Sequence, residues 1–283
     1  MTHKKLLMRA CKRLLLNVAL ILLSLVFIYP FIWLLLGCFK SNQEIFSDSL
    51  GLPTSFDFSV FSEGWKGSGQ FTYGRFFLNT FEVVIPVVLL TLASALFVAY
   101  GFARFHFKWK SFFFTLMIST MMLPASVILI PRYMMFSQMG WIDTYLPLIV
   151  PTMFGGGPFF IFLLIQFLRG LPRELDEAAI IDGCGSFKTL VYVLLPLCVP
   201  ALFSAGVFQF MWTWNDFFNQ LIYINSVSKY TLSLGLRMSL DTTTNVQWNK
   251  LFAMSLISVL PPIIMFFVAQ KYLVEGIATS GLK

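Results

Sequence analysis

Residues 169–196 read RGLPRELDEAAIIDGCGSFKTLVYVLLP, and this stretch decides what kind of chain it belongs to. Seven charged side chains, Arg169, Arg173, Glu174, Asp176, Glu177, Asp182 and Lys188, fall within it, and long apolar runs flank it on both sides. A charge at the centre of a bilayer costs about 2.5–3.5 kcal/mol on insertion scales, so the island lies in water beside a membrane. Pro172 fits a first helical position, and Glu174, Asp176 and Glu177 fall in a first turn, where the helix dipole favours acids. Leu175, Ala178, Ala179 and Asp182 follow the spacing of one helix face. Gly183 is placed to end that helix, because glycine accepts the left-handed conformation just past a C-terminus. Ser186 is placed to cap a second helix that stops at Leu195, before Pro196. The expectation is a helix, a tight turn and a helix at the membrane surface. Ala178 and Ala179 leave a smooth patch that another protein could approach closely.

Composition agrees. Of 283 residues, 58% are hydrophobic and only 12% charged, against about 25% charged in soluble domains. The fold class is therefore an all-α membrane protein. A crossing needs about 20 apolar residues, and six segments qualify: 14–37, 79–103, 111–135, 145–168, 194–214 and 251–272. Prolines interrupt several of them, as do Gly155, Gly156 and Gly157. With six crossings both termini share a side, and thirteen of the 20 Lys and Arg fall on it, seven opposite. Positive charge marks the cytoplasmic face, which puts both termini and the island inside. This divides the chain into a cytoplasmic segment 1–13, a transmembrane domain 14–272 containing the loop 169–193, and a tail 273–283. Outside lie two polar segments, 38–78 and 215–250. The net charge of +7 is topological rather than a nucleic-acid footprint, because the basic residues sit in short loops beside apolar spans.

Glu177-Ala178-Ala179, three residues, Gly183, nine residues and Val193-Leu194-Leu195-Pro196 together resemble the coupling-loop signature of ABC importer permeases. Met122-Leu123-Pro124 with Ile130-Pro131-Arg132-Tyr133, then Thr144 and Pro151, is similar to the third and fourth spans of the maltose-type, carbohydrate branch. So are Trp214-Asn215-Asp216-Phe217 and the tail from Gln270 through Gly276 to Lys283. The likeness covers most of residues 14–283 and points to the shorter permease subunit of that branch. It implies the type I importer fold, with the cytoplasmic helix-turn-helix between spans 4 and 5. It also implies a second, homologous permease, a dimer of ATP-binding subunits and an external solute-binding protein probed by the segment 215–250. By that resemblance Glu177, Ala178, Ala179, Asp182, Gly183 and Pro196 couple the chain to the ATPase, and Gly276, Ser280 and Gly281 of the tail touch it.

The span middles hold no ionisable residue, whereas proton- or ion-coupled carriers usually need one at depth. An independent channel or carrier is thereby disfavoured, although a neutral solute could still pass along hydroxyls, amides and aromatic faces. Ser94, Ser119, Thr120, Ser204, Gln209, Trp212 and Asn215 are the candidates, each of which could equally be a helix-packing contact. There is no P-loop, since after Gly276 the lysine does not directly follow the second glycine. ATP and Mg therefore belong to partner subunits, and this chain holds no cofactor of its own. No Cys pair has metal or redox spacing, and no nucleophile–base pair or paired carboxylates are visible, which disfavours a membrane-embedded enzyme. Leu35-Leu36-Gly37-Cys38 approaches a lipoprotein cleavage box, but the preceding apolar run is too long for a signal-peptide core.

Overall fold

The computed structural model describes residues 3–48, 51–67, 71–155, 157–240 and 246–280. Every regular element among them is helical. In chain order these are α1 (His3–Gly37), α2 (Asn42–Ser47), α3 (Ser59–Lys66), α4 (Tyr73–Arg104), α5 (Lys110–Thr120), α6 (Ala125–Gln138), α7 (Leu146–Ile149), α8 (Pro158–Gly170), α9 (Glu174–Ile181), α10 (Ser186–Lys188), α11 (Leu195–Trp214), α12 (Phe218–Tyr223), α13 (Leu232–Met238) and α14 (Trp248–Ser280). The chain divides into two compact units, Met1–Thr72 with Met238–Ser258, and Tyr73–Arg237 with Val259–Lys283.

In the first unit residues 14–32 of α1 are almost wholly apolar and exposed, with Leu15 at 71% and Val26 at 68%. A helix of that kind is built for lipid or for other helices rather than for water. Past its end, Ser41 and Glu44 form a capping box that starts α2. The Asn42 side-chain amide donates to Val246 O at 2.8 Å and its oxygen accepts from Trp248 N–H at 3.1 Å, tying α2 to the start of α14. Lys250 pairs with Glu63 of α3 at 2.9 Å.

In the second unit α4 is the central post. Ala95, Ala99 and Ala103 repeat every four residues along it and are at most 4% exposed. Small residues in such a row let helix backbones approach closely where lipid offers no hydrophobic drive. Phe160, Ile161, Leu164, Ile165 and Leu168 of α8 fill that seam, with Leu190, Leu194, Cys198, Ala201 and Ala205 closing it.

Among the described residues five segments are long and apolar enough to cross a membrane: Cys11–Gly37, Tyr73–Arg104, Leu146–Gly170, Ser186–Trp214 and Trp248–Gln270. They match five of the six expected spans. The expected third span, 111–135, is two helices with a break at residues 121–124. Pro124 disfavours the helical region for Leu123 before it, and Pro124 itself is extended at ψ 132. Elsewhere the prolines interrupt less than expected: Pro30, Pro86, Pro131, Pro200, Pro261 and Pro262 all lie inside continuous helices. The helix after Ser186 does not stop before Pro196 either. It runs on through a wide π turn over Thr189–Leu194 into α11. Prolines are tolerated inside membrane-spanning helices where neighbouring groups satisfy the freed carbonyls. The tail is likewise continuous with the last span: Gly276 and Ser280 belong to α14, while Gly281 lies outside the described residues, as do Thr242, Thr243 and Thr244 of the segment 215–250.

Candidate functional site

The charged island folds into the expected hairpin. Helix α9 opens with Glu174, Asp176 and Glu177 in its first turn. It starts two residues past Pro172, with the N–H groups of Asp176 and Glu177 both reaching Arg173 O, at 2.9 and 3.1 Å. It ends in a Schellman motif: Cys184 N–H donates to Ala179 O at 2.8 Å, and Gly183 N–H to Ile180 O at 3.0 Å. Gly183 stands at φ +77, with no atom within 4 Å of where a Cβ would be, so conformation rather than space calls for glycine there. Ser186 is the first residue of α10 rather than its cap; Gly185 holds the cap position and makes no side-chain bond. The inward stripe also differs from the sequence expectation. Leu175, Asp176 and Ala179 turn inward, while Ala178 and Asp182 are exposed. Glu177 is exposed beside Ile180 at 67% and Ile181 at 85%, and Phe187 of α10 is exposed at 66%. Large apolar side chains are thus left open on a short charged hairpin.

The reason for the different stripe is the end of α4. Arg104 Nε pairs with Asp176 Oδ2 at 3.0 Å, with only 7% and 19% of the two side chains exposed. Arg104 Nη2 also donates to Leu171 O at 3.2 Å. One turn back, the Tyr100 hydroxyl donates to Ser186 O at 3.0 Å. Phe97 stacks on Phe187 with centroids 6.3 Å apart. Sequence reading places Arg104 only as a topological charge and Asp176 only as a dipole partner. A basic residue ending an apolar helix, and an acid adjoining the Glu-Ala-Ala triplet, were the available signals.

At the other end of the same unit a cavity of about 250 Å³ lies among α4, α6, α7, α11 and α12. Arg132, Gln209, Thr213, Asp216, Asn219, Gln220 and Tyr223 give it a polar wall, and Val83, Val87, Pro147, Leu148 and Pro151 an apolar one. Arg132 donates from Nε to the Tyr223 hydroxyl at 2.9 Å and from Nη2 to Asn219 Oδ1 at 2.6 Å. Asn219 Nδ2 donates on to both Asp216 carboxylate oxygens, at 3.1 and 3.0 Å. Burial pushes the Asp216 carboxyl up, opposed by the Asn219 bonds and the Arg132 charge. One positive and one negative group, linked through an amide, leave the lining neutral overall and rich in donors.

Beside the cavity the segment after Asn215 is no solvated loop. Asn79 Nδ2 donates to Ser228 O at 2.9 Å and Tyr230 O at 2.8 Å, and Leu232 N–H donates to Thr80 Oγ1 at 2.9 Å. The buried Gln220 oxygen accepts from the Thr231 and Ser233 hydroxyls. Asp143, with φ 61, reaches across to this segment. Its carboxylate accepts from Ser226 Oγ at 2.6 Å, Ser226 N–H at 2.8 Å, Asn225 N–H at 3.0 Å and Lys229 Nζ at 3.0 Å. The Ser226 hydroxyl, with those other donors, holds the Asp143 carboxyl well below the usual carboxylate range.

The solute-path candidates do not converge. Of Ser119, Thr120, Ser204, Gln209, Trp212 and Asn215, Gln209 alone lines the cavity. Ser119, Thr120, Ser204 and Asn215 donate to carbonyls of their own helices, at Thr115, Met117, Pro200 and Met211. Trp212 packs against Phe159 and Phe160, with centroids 5.2 and 5.1 Å away. Ser94 donates to Thr152 O at 2.8 Å. Arg132, Asn219, Gln220 and Tyr223 are not among the solute-path residues that the sequence points to; Arg132 inside an otherwise apolar helix was the available clue.

Residues 93–279 match the family described as binding-protein-dependent transport system inner membrane component. The chain is 34% identical over 255 residues to a probable ABC transporter permease protein, YurM, of Bacillus subtilis strain 168, covering 90% of this chain and 83% of that one. It is 31% identical to the arabinooligosaccharides transport system permease protein AraQ of the same organism, over 96% of each chain. It is 28% identical to the trehalose/maltose transport system permease protein MalG of Thermococcus litoralis, over 96% and 97%. Its fold is that of a chain in the crystal structure of a bacterial ABC transporter involved in the import of the acidic polysaccharide alginate, with a TM-score of 0.81, 21% identity, and 96% and 98% coverage. The chain therefore belongs to the family of binding-protein-dependent transport system inner membrane components, as a multi-pass ABC permease subunit that is a transport component and not an enzyme.

Proposed function

We propose that this chain is one of two permease subunits of an ATP-driven importer for a carbohydrate, an oligosaccharide or related sugar, that moves solute into the cytoplasm. The observation that carries the reading is the hairpin itself, rigidly capped at Gly183 and presenting Glu177, Ala178, Ile180 and Ile181 outward. In this reading the outer face seats in a cleft of the ATPase. Glu177 anchors it by charge-assisted bonds, the alanine permits close approach, and Gly183 and Pro196 with Asp182 fix the turn and the start of α11. The tail at Gly276, Ser280 and Gly281 adds a second contact. ATP and Mg are held by the two ATP-binding subunits, and their closure shifts the permease pair between inward- and outward-facing states by differential affinity. Six crossings with both termini inside complete the topology, the broken pair α5–α6 serving as the third. Non-helical backbone of this kind is tolerated at membrane depth where protein or a water-filled cavity surrounds it.

The sugar assignment draws on the relatives named for arabinooligosaccharide and trehalose/maltose transport, and on the cavity's neutral, amide- and hydroxyl-rich lining. The test is affinity purification of the chain from its native membrane in mild detergent, followed by mass spectrometry. Recovery of a second permease, an ATP-binding subunit and a solute-binding protein is the expected result. Ala178→Trp and Gly183→Trp should then abolish uptake while the protein remains in the membrane. Recovery of the chain alone, or undiminished uptake by both variants, would sink the reading.

A further inference from the structure

The hairpin is joined by the backbone to α8 and α11, yet its polar anchors come from α4, which is remote in sequence. Arg104 holds the Leu171 carbonyl at the start of the hairpin and the Asp176 carboxylate inside it, and Tyr100 holds the Ser186 carbonyl at its far end. The two side chains stand four residues apart and so share one face of α4. The pair is mostly buried, so opening the contact while either side chain stays in place leaves an uncompensated buried charge. A displaced hairpin therefore drags α4 with it or breaks the pair. The other end of α4 carries Val83 and Val87 in the wall of the polar cavity. From Arg104 to Val87 the continuous helix spans about 25 Å at 1.5 Å per residue.

Resting on the importer reading above, we propose that Arg104, Asp176 and Tyr100 are positioning residues that form a strut. Through it, motion of the docked hairpin is delivered along α4 to the solute cavity. The ATPase-docking face and the strut are then separate devices on one hairpin: Glu177 and Ala178 face outward, Asp176 and Leu175 inward. A variant that cuts the strut leaves docking and ATP hydrolysis in place and uncouples them from the cavity.

The test uses the complete importer in lipid nanodiscs, with Cys11, Cys38, Cys184 and Cys198 replaced by alanine and Val87→Cys as reporter. The cationic thiol reagent methanethiosulfonate-ethyltrimethylammonium measures cavity access before and after trapping with ATP and vanadate. In the reporter background, trapping should change the labelling rate. Arg104→Ala should keep ATP hydrolysis within about twofold and shrink that change about tenfold, within the roughly 5–150-fold span of ordinary coupling free energies. Tyr100→Phe, which removes a single hydrogen bond, should give an intermediate loss. Arg104→Asp with Asp176→Arg should recover part of the response. A full labelling change in both Arg104→Ala and Tyr100→Phe would overturn the strut. So would loss of assembly in Arg104→Ala together with wild-type behaviour of Tyr100→Phe, which would assign the pair to folding alone. A reporter complex that never assembles with an ATPase would instead refute the importer reading.

Discussion

At the scale of single residues, two positions have roles that geometry isolates. Gly183 has open space around its missing side chain, so a substitution there pays only for the left-handed backbone. Gly183→Ala should destabilise the hairpin by about 1–2 kcal/mol, and Gly183→Asn by less, because Asn visits that conformation more readily. Thermal unfolding of the purified permease complex checks the order. Asp143 tests charge. Its carboxyl is held below the ordinary carboxylate value, so the stability it contributes is present above that value and lost as pH falls through the depressed one. The difference in Tm between wild type and Asp143→Asn should be level from about pH 8 to about pH 5 and narrow below about pH 4, near the unperturbed carboxylate pKa. A gap that stays constant into acid would mean that the side chain acts by shape rather than by charge.

At the scale of elements, the break between α5 and α6 is assigned to Pro124. Pro124→Ala should restore helical freedom to Leu123 and slow amide hydrogen exchange across residues 121–125. Unchanged exchange would place the cause in packing instead. This element also shows what sequence can convey. The apolar run 111–135 was legible as membrane-length, and Pro124 was among the prolines expected to interrupt it, but the sequence alone did not separate Pro124, which severs the helix, from Pro131, which lies inside α6. For the hairpin, the first-turn acids and the stop at Gly183 were legible because their causes are local. Its inward face was not, because that face is chosen by Arg104, on a helix remote in sequence. The polar cavity was legible only through Gln209, since Arg132, Asp216 and Asn219 become one network by folding, and hydroxyls such as Ser204 bond their own helix instead.

At the scale of the whole molecule, the proposed topology of six crossings with both ends inside predicts that reporter fusions after Lys108 and after Arg173 are active in the cytoplasm. A fusion after Gly140 should report from the outside. Signals on one side for all three would remove a crossing. The hairpin's second arm, α10, and Gln209 also lie on one uninterrupted helical path, Ser186–Trp214, with the wide turn Thr189–Leu194 between them. That turn takes up a spare residue without rotating the helix beyond it, so it works as a vernier between the cytoplasmic end and the cavity. Removing Val191 should let the ladder close to ordinary α spacing and leave the bearing of Gln209 unchanged. Removing Leu202, from regular helix, should swing Gln209 by about 100°, one residue's share of a 3.6-residue turn. Uptake should survive the first deletion and fail in the second: along this path the compass direction of the side chains matters more than the length of the chain.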